Sequence, residues 1–305
     1  MQIVKRQSKE TDQEAGLSVV RILRKKNSKA TLHRITHENG VTYLSFDSFS
    51  EATGTRHAFA TRLGGVSRAP FDTMNLSFTR GDDPDAVTEN YRRITQVMGR
   101  VPDDVICTFQ THTAHVRKVT REDAGKGVTR DRDYTDTDGL VTDEEGVVLA
   151  CFWADCVPLL FADPVRRAIG VAHAGRRGTT GGIGKKMVEA MHAYYGTDAA
   201  DLHVAIGPSI CAECYEIGTD VAEEVSVAFP GAKETGVLFQ KEDAPRDKYQ
   251  LDLWLLNSLL LREAGVRSDR ITVTDICTRC NPDLLFSHRV RGEARGNLAA
   301  FLTLA

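Results

Sequence analysis

Three observations predict an α+β fold built from mixed layers. Short apolar runs are separated by Gly, Pro and Asn-Gly breaks, helical patterns fall between them, and the two alternate without a clean βαβ rhythm. A doubly wound parallel sheet fits less well. At 305 residues the chain has room for one large domain or two ordinary ones, with a sizeable core. A hydrophobic fraction of 41% and a charged fraction of 27% belong to a soluble globular protein. The net charge of -3 provides no field for nucleic acid or a membrane surface, and no run approaches the roughly 20 apolar residues that span a bilayer. The first residues lack the apolar core of a secretory signal, and seven cysteines are too few for a disulfide scaffold. A cytoplasmic protein with free or metal-bound thiols is expected.

Residues 1–31 form a polar arm with a basic cluster at 21–29, read as solvated and partly disordered. A nucleic-acid or membrane contact is the sharper alternative, and it rests on that one run. The folded domain is expected over 32–305, beginning with a hairpin turned at Asn39-Gly40. Residues 57–61 alternate as a strand and lead into Arg62-Leu63-Gly64-Gly65, either a tight turn or a close approach to a ligand. Asp83-Pro84 then caps a helix expected over 85–98. Residues 105–109 read as a buried strand ending in Gln110-Thr111-His112, and 115–119 as the next stretch. A glycine-rich loop at 178–184 opens a helix and is a ready anion site, although it matches no nucleotide fingerprint. Further elements are a strand at 202–206, a helix at 219–229, a hydrophilic connection at 235–250 and an apolar helix at 252–264. A strand at 271–276 and a last strand or helix through Leu304 close the chain.

Chemistry concentrates in residues 149–178. An apolar strand ends in Ala154-Asp155-Cys156, a turn follows at Asp163-Pro164, and a second strand delivers His173 into a basic, glycine-rich loop. A thiol and an imidazole at neighbouring strand ends are soft metal ligands, and His112 at another strand end makes a His/Cys/His set of the kind that binds zinc and leaves a fourth position open. Spacing alone does not single this set out. Cys211-x-x-Cys214 and Cys277-x-x-Cys280 have the local spacing of a four-cysteine zinc site, but the sixty-odd residues between them far exceed a zinc-ribbon loop. The default expectation is that those cysteines are unrelated.

From about Asn39 onward the sequence resembles the YfiH family, also called laccase-domain or multicopper-polyphenol-oxidase-like proteins. The resemblance rests on Thr61-Arg62-Leu63-Gly64-Gly65-Val66-Ser67, Asn75-Leu76-Ser77, Gln110-Thr111-His112, Thr137-Asp138-Gly139-Leu140, Ala154-Asp155-Cys156, His173-Ala174-Gly175, Gly207-Pro208-Ser209-Ile210, Asp252-Leu253-Trp254 and Cys277-Thr278. It implies a single-domain αββα arrangement of mixed sheets and a zinc site on His112, Cys156 and His173, with copper as a possible substitute. It also implies phosphorolysis of adenosine, inosine, guanosine or methylthioadenosine, and deamination of adenosine. Copper-dependent phenol oxidation and peptidoglycan-precursor editing are also attributed to family members.

A three-ligand zinc lowers the pKa of a bound water to about 7, enough for attack on purine C6, with Asp155 or another nearby carboxylate as proton shuttle. Asp155, Cys156 and Arg62 are the expected catalytic residues. Arg62, Asn75, Arg177 and Arg289 are the expected substrate or phosphate contacts, because guanidinium matches phosphate oxygens bidentately. Nine histidines, several of them outside the candidate site, are poorly suited to several coppers. The chain departs from the family pattern at Arg176, where an aromatic is usual after His-Ala-Gly. It departs again at Val290 and at Ala294-Arg295-Gly296. Arg176 is the expected seat of substrate preference. The expected partners are purine nucleosides and phosphate, with no nucleic acid and no membrane, in a monomer or homodimer. The rival reading is a zinc-stabilised binding protein with little activity.

Overall fold

An Asn39-Gly40 turn with a positive φ at Gly40 joins β1 (His33–Thr36) to β2 (Thr42–Ser45) in an antiparallel hairpin. Helix α1 (Asp47–Thr53) and strand β3 (Thr55–Ala60) follow. Helix α2 (Pro84–Val97) begins where the sequence predicts, with Asp83 accepting from the Asp85 amide and Pro84 in the first turn. Strands β4 (Val105–Cys107), β5 (Val116–Lys118), β6 (Gly139–Thr142), β7 (Val148–Trp153), β8 (Val157–Asp163) and β9 (Ala168–Ala174) come next. After them lie α3 (Arg176–Thr180), α4 (Ile183–Tyr195), β10 (His203–Ile206), β11 (Glu216–Gly218) and α5 (Thr219–Ala228). The chain closes with β12 (Leu238–Phe239), β13 (Lys248–Leu251), α6 (Leu253–Glu263), β14 (Ile271–Val273), α7 (His288–Arg291) and β15 (Leu298–Leu304). The structure, a computed structural model, describes residues 20, 22–25 and 32–305.

The strands form two six-stranded mixed sheets, ordered β1-β2-β3-β15-β7-β4 and β14-β10-β8-β9-β6-β5, and a small third sheet, β11-β13-β12. Strand periodicity sorts the side chains into layers. Phe59, Leu149, Cys151 and Trp153 of the first sheet meet Leu140, Leu160, Ile169 and Val171 of the second. On the outer side of the first sheet, Val148, Ala150 and Phe301 pack on Val87, Tyr91 and Ile94 of α2. Beyond the second sheet, Val157, Leu159 and Phe161 pack on Met187 and Met191 of α4 and on Leu253, Leu256 and Leu261 of α6. The layer order is therefore αββα. With both faces covered, β8 and β15 are buried along their whole length, which is why they read as continuous apolar runs.

The structure differs from the sequence reading in several places. Residues 149–178 are not one hairpin. Strand β7 belongs to the first sheet and the β8–β9 hairpin to the second, so the chain changes sheet at Ala154–Cys156. The glycine-rich loop is mostly helix, because α3 already covers Gly178 and the break is confined to Gly181-Gly182. The hydrophilic connection at 235–250 contains β12 and most of β13, which leave Phe239 exposed and Lys248 and Tyr249 half-buried at this small sheet. Within the stretch read as a polar arm, Val20 and Ile22 pack on the core between the sheets, and Asn281 grips the Leu23 backbone through both its amide groups. Arg24 pairs with Asp275 at 2.8 Å and Lys25 with Glu213 at 3.0 Å, and the rest of that arm, with Arg21, Lys26 and Lys29 of the basic cluster, lies outside the described residues.

Strand β15 sits between β3 and β7, and the Phe301 ring meets Tyr91 edge-on at 6.4 Å. Truncating it opens a cavity that two covered layers cannot collapse into. Phe301→Ala is expected to lower unfolding free energy by about 3–5 kcal/mol, read from urea denaturation. A loss under about 1 kcal/mol would contradict the packing described.

Candidate functional site

Among the described residues, the chain crosses from the first sheet to the second only twice in sequence. One crossing, β4 to β5, carries His112, and the other, β7 to β8, carries Cys156. Both crossings bend the backbone into the left-handed region, at His112 (φ 66°) and at Asp155 (φ 95°). Such conformations are costly for side chains with a Cβ and persist only where the surroundings enforce them. Gln110 anchors the chain just before the first by bonding both the N–H and the C=O of Phe152, which extends the β4–β7 pairing. His173 lies in β9 opposite Pro158, two residues beyond Cys156.

The ligand atoms of His112, Cys156 and His173 all lie within 4.8 Å of one another, with Cys156 Sγ 4.0 Å from His112 Nε2. The imidazole rings meet edge to face at 4.8 Å. Asp138, which is fully buried, organises them. Its carboxylate accepts from the amides of Thr111 (2.9 Å), His112 (3.2 Å) and Thr113 (3.1 Å) and pairs with His173 Nδ1 at 2.8 Å. This leaves His173 Nε2 for a metal. Gly175 closes the other side, because a Cβ there would stand 2.9 Å from His112 Cδ2 and 3.0 Å from Cys156 Sγ. The His-Ala-Gly sequence thus needs its glycine for clearance over the ligands.

Burial alone would raise the Cys156 thiol, but the imidazoles of His173 and His112 outweigh it and bring the thiol down to about 6. Burial opposes charge on His173 too, yet the Cys156 sulfur and the Asp138 carboxylate raise it to about 9. Asp138 itself stays below the usual carboxylate range despite burial, held by His173 and by the Thr111 and Thr113 amides. A thiolate at neutral pH and two fixed imidazoles form a soft N,N,S donor set suited to one zinc or copper ion. The geometry fits a single such ion.

The other predicted residues divide into two groups. Asp155 stands at the site, accepting from Thr278 Oγ1 (2.5 Å) and from the Arg289 amide (2.7 Å). Arg289 is exposed, 5.3 Å above the Tyr215 ring, and bonds the Glu216 carbonyl. Arg177 is exposed on α3, with no side-chain partner among the described residues. Arg62 and Asn75, by contrast, are buried in loop structure. The Arg62 guanidinium bonds Asp72 and the Pro282 carbonyl, and the Asn75 amide bonds Ser77, Asp82 and the Asn297 amide. Arg176 is paired with Glu224 of α5.

Three residues carry more than the sequence suggested. Asp138 was visible only as part of Thr137-Asp138-Gly139-Leu140. Tyr215, signalled only by its place after Cys214, is half-buried within Coulombic range of Cys156, Arg176 and Arg289. Arg295, one of the departures, is buried beside Asp155 and Cys156, which partly offset the effect of burial on its charge.

Residues 56–305 match a family described as multi-copper polyphenol oxidoreductase laccase. The chain belongs to this family. Its relatives include the purine nucleoside phosphorylase YlmD of Bacillus subtilis (strain 168), 37% identical over 80% of this chain and 86% of the relative. A protein named purine nucleoside phosphorylase from Deinococcus radiodurans is 40% identical over 69% of this chain and 75% of its own length. The crystal structure of the hypothetical protein YfiH from Bacillus licheniformis superposes with a TM-score of 0.82 at 31% identity, covering 89% of this chain and 99% of the other. YlmD from Geobacillus stearothermophilus gives a TM-score of 0.76 at 33% identity, over 88% and 98%. These likenesses extend to the whole αββα domain. No helix among the described residues is long and apolar enough to cross a membrane.

Asp138→Asn keeps the shape but removes the charge that fixes the His173 tautomer and holds the His112 turn. Affinity for an added divalent metal such as zinc is expected to fall about 10- to 100-fold, read by competition with a chromophoric chelator. Gly175→Ala is expected to weaken zinc binding in the same assay by displacing His112 or Cys156. Unchanged affinity in both variants would remove Asp138 and Gly175 from the account of the site.

Proposed function

We propose that this chain is a zinc-dependent purine nucleoside phosphorylase. The observation that carries the proposal is the His112, Cys156 and His173 ligand set beside two exposed arginines and an aromatic wall, in a chain whose relatives bear that name. Phosphorolysis forms a bond between a phosphate oxygen and ribose C1′ while the C1′–N9 bond breaks, and the purine leaves carrying a proton on nitrogen. When bound, zinc supplies Lewis acidity at its one open position.

Arg289 and Arg177 hold the phosphate, since their guanidinium groups are accessible and pair with phosphate oxygens bidentately. Tyr215 offers the purine an aromatic surface on the ring face that Arg289 does not cover. Asp155 fixes Arg289 through its amide and keeps lone pairs on both carboxylate oxygens for proton transfer to or from the base. Arg62 and Asn75 act at one remove in this reading. Their internal bonds set the loop over residues 62–77 and do not reach substrate. The same site is proposed to deaminate adenosine, in which a water oxygen bonds purine C6, the bond from C6 to the amino nitrogen breaks and ammonia leaves with the transferred proton.

The test incubates purified protein with adenosine, inosine, guanosine and methylthioadenosine, with and without phosphate, alongside elemental analysis. Free base and the (methylthio)ribose 1-phosphate are expected only with phosphate, and inosine from adenosine without it. Bound zinc without turnover of any nucleoside would overturn the proposal in favour of a binding protein, and stoichiometric copper would overturn the choice of metal. Cys156→Ala is expected to abolish turnover and metal binding at this site, so full activity in that variant sinks the site assignment. Arg289→Ala is expected to raise the KM for phosphate about 10- to 100-fold, the scale of one or two charge-assisted hydrogen bonds.

A further inference from the structure

We propose that Cys211, Cys214, Cys277 and Cys280 form a second, structural zinc site, which locks together the two loops that hold Asp155. The sixty-odd residues between the pairs argue against such a site only if the loop between them must be short. The fold removes that requirement. Strands β10 and β14 are parallel neighbours, with Ile206 opposite Val273, so both leave the sheet at the same end. Pairing continues past the strands through a Ser209–Cys277 bridge, which sets the two Cys-x-x-Cys loops side by side. The intervening chain is the crossover that any parallel pair requires.

The sulfur geometry is that of a metal cage. All four Sγ atoms lie within 4.8 Å of one another, and Cys214 Sγ is 3.5 Å from Cys280 Sγ. Zn–S bonds of about 2.3 Å in a tetrahedron place sulfurs about 3.8 Å apart, whereas a disulfide needs about 2.05 Å. The Cys211 N–H donates to Cys277 Sγ at 3.3 Å, and Arg279 donates to Cys214 Sγ at 3.5 Å. Lys25 lies beside Cys211 and Cys280 and pairs with Glu213 at 3.0 Å. Four thiolates on a divalent ion carry two net negative charges, and two cations beside the sulfurs are the outer partners such a centre calls for. Cys211 and Cys277 are buried, with Ile210, Tyr215 and Trp254 packed around the cluster.

The ligands alternate in sequence with residues of the candidate active site. Ile210 donates its amide to the Asp155 carbonyl (3.0 Å), and Thr278 donates to the Asp155 carboxylate. Tyr215 follows Cys214 directly. One ion at the four thiolates therefore fixes Asp155 and Tyr215 from behind.

Wild-type protein produced with zinc is expected to contain two zinc ions per chain by elemental analysis, and Cys156→Ala one. The double variant Cys211→Ser, Cys280→Ser is expected to retain one zinc, at the His112 set. Should that double variant fail to fold, Cys156→Ala loaded with cobalt gives the same answer. It should show the sulfur-to-cobalt charge-transfer band and tetrahedral visible bands of a four-thiolate centre. Cys156→Ala without zinc, with the four cysteines alkylated freely or joined as disulfides by mass spectrometry, would overturn the proposal, and so would iron in place of zinc. Because the readouts are metal content and spectrum, they are independent of whether the chain phosphorolyses nucleosides.

Discussion

The carboxylate of Asp138 is the constraint on which the candidate site depends. Among the described residues its hydrogen-bond partners are three backbone N–H groups, the Thr113 hydroxyl and the one imidazole that it orients. An isolated buried carboxylate would be strongly disfavoured, and the surrounding chain satisfies it by folding the Thr111–Thr113 turn around it. That turn forces His112 into its left-handed conformation. Metal-ligand placement and satisfaction of one buried charge are therefore a single structural event.

The site also depends on the stacked sheets. Two of its ligands stand where the chain steps from one sheet to the other, and the third lies in the hairpin that receives the second step. Any sliding of one sheet on the other would move Cys156 and His112 relative to His173. The dense layer between the sheets, with Phe59, Trp153, Leu160 and Val171, prevents that motion because close-packed interiors yield little.

Much of this was legible in the sequence. Apolar runs located most strands, and Asp83-Pro84 marked the start of a helix by its capping chemistry, whereas Asp252, read as helical, proved to be the cap of α6. Resemblance to a family supplied the layer order and the His112, Cys156, His173 set, which spacing alone did not single out. Partners distant in sequence were not legible. Sheet membership is invisible in an apolar run, so the change of sheet at Asp155 was read as a simple strand end. The four cysteines were set aside because a parallel strand pair brings together residues that local spacing keeps apart. The partners of Arg62 and Asn75 were equally hidden: both were read as ligand contacts, and the fold adds bonds from Arg62 to Asp72 and Pro282 and from Asn75 to Ser77, Asp82 and Asn297.

The crossings also fix an order of assembly. Residues 112, 156 and 173 cannot come within a few ångströms of one another until both sheets have formed and stacked, because each crossing is defined by a strand in each sheet. An ion bound at this centre would therefore enter a finished scaffold, by way of the exposed His112, and its binding energy would stiffen a fold instead of creating one. On the proposed reading, metal supply would govern how much of the protein is armed, while the amount that folds would be governed by the chain itself.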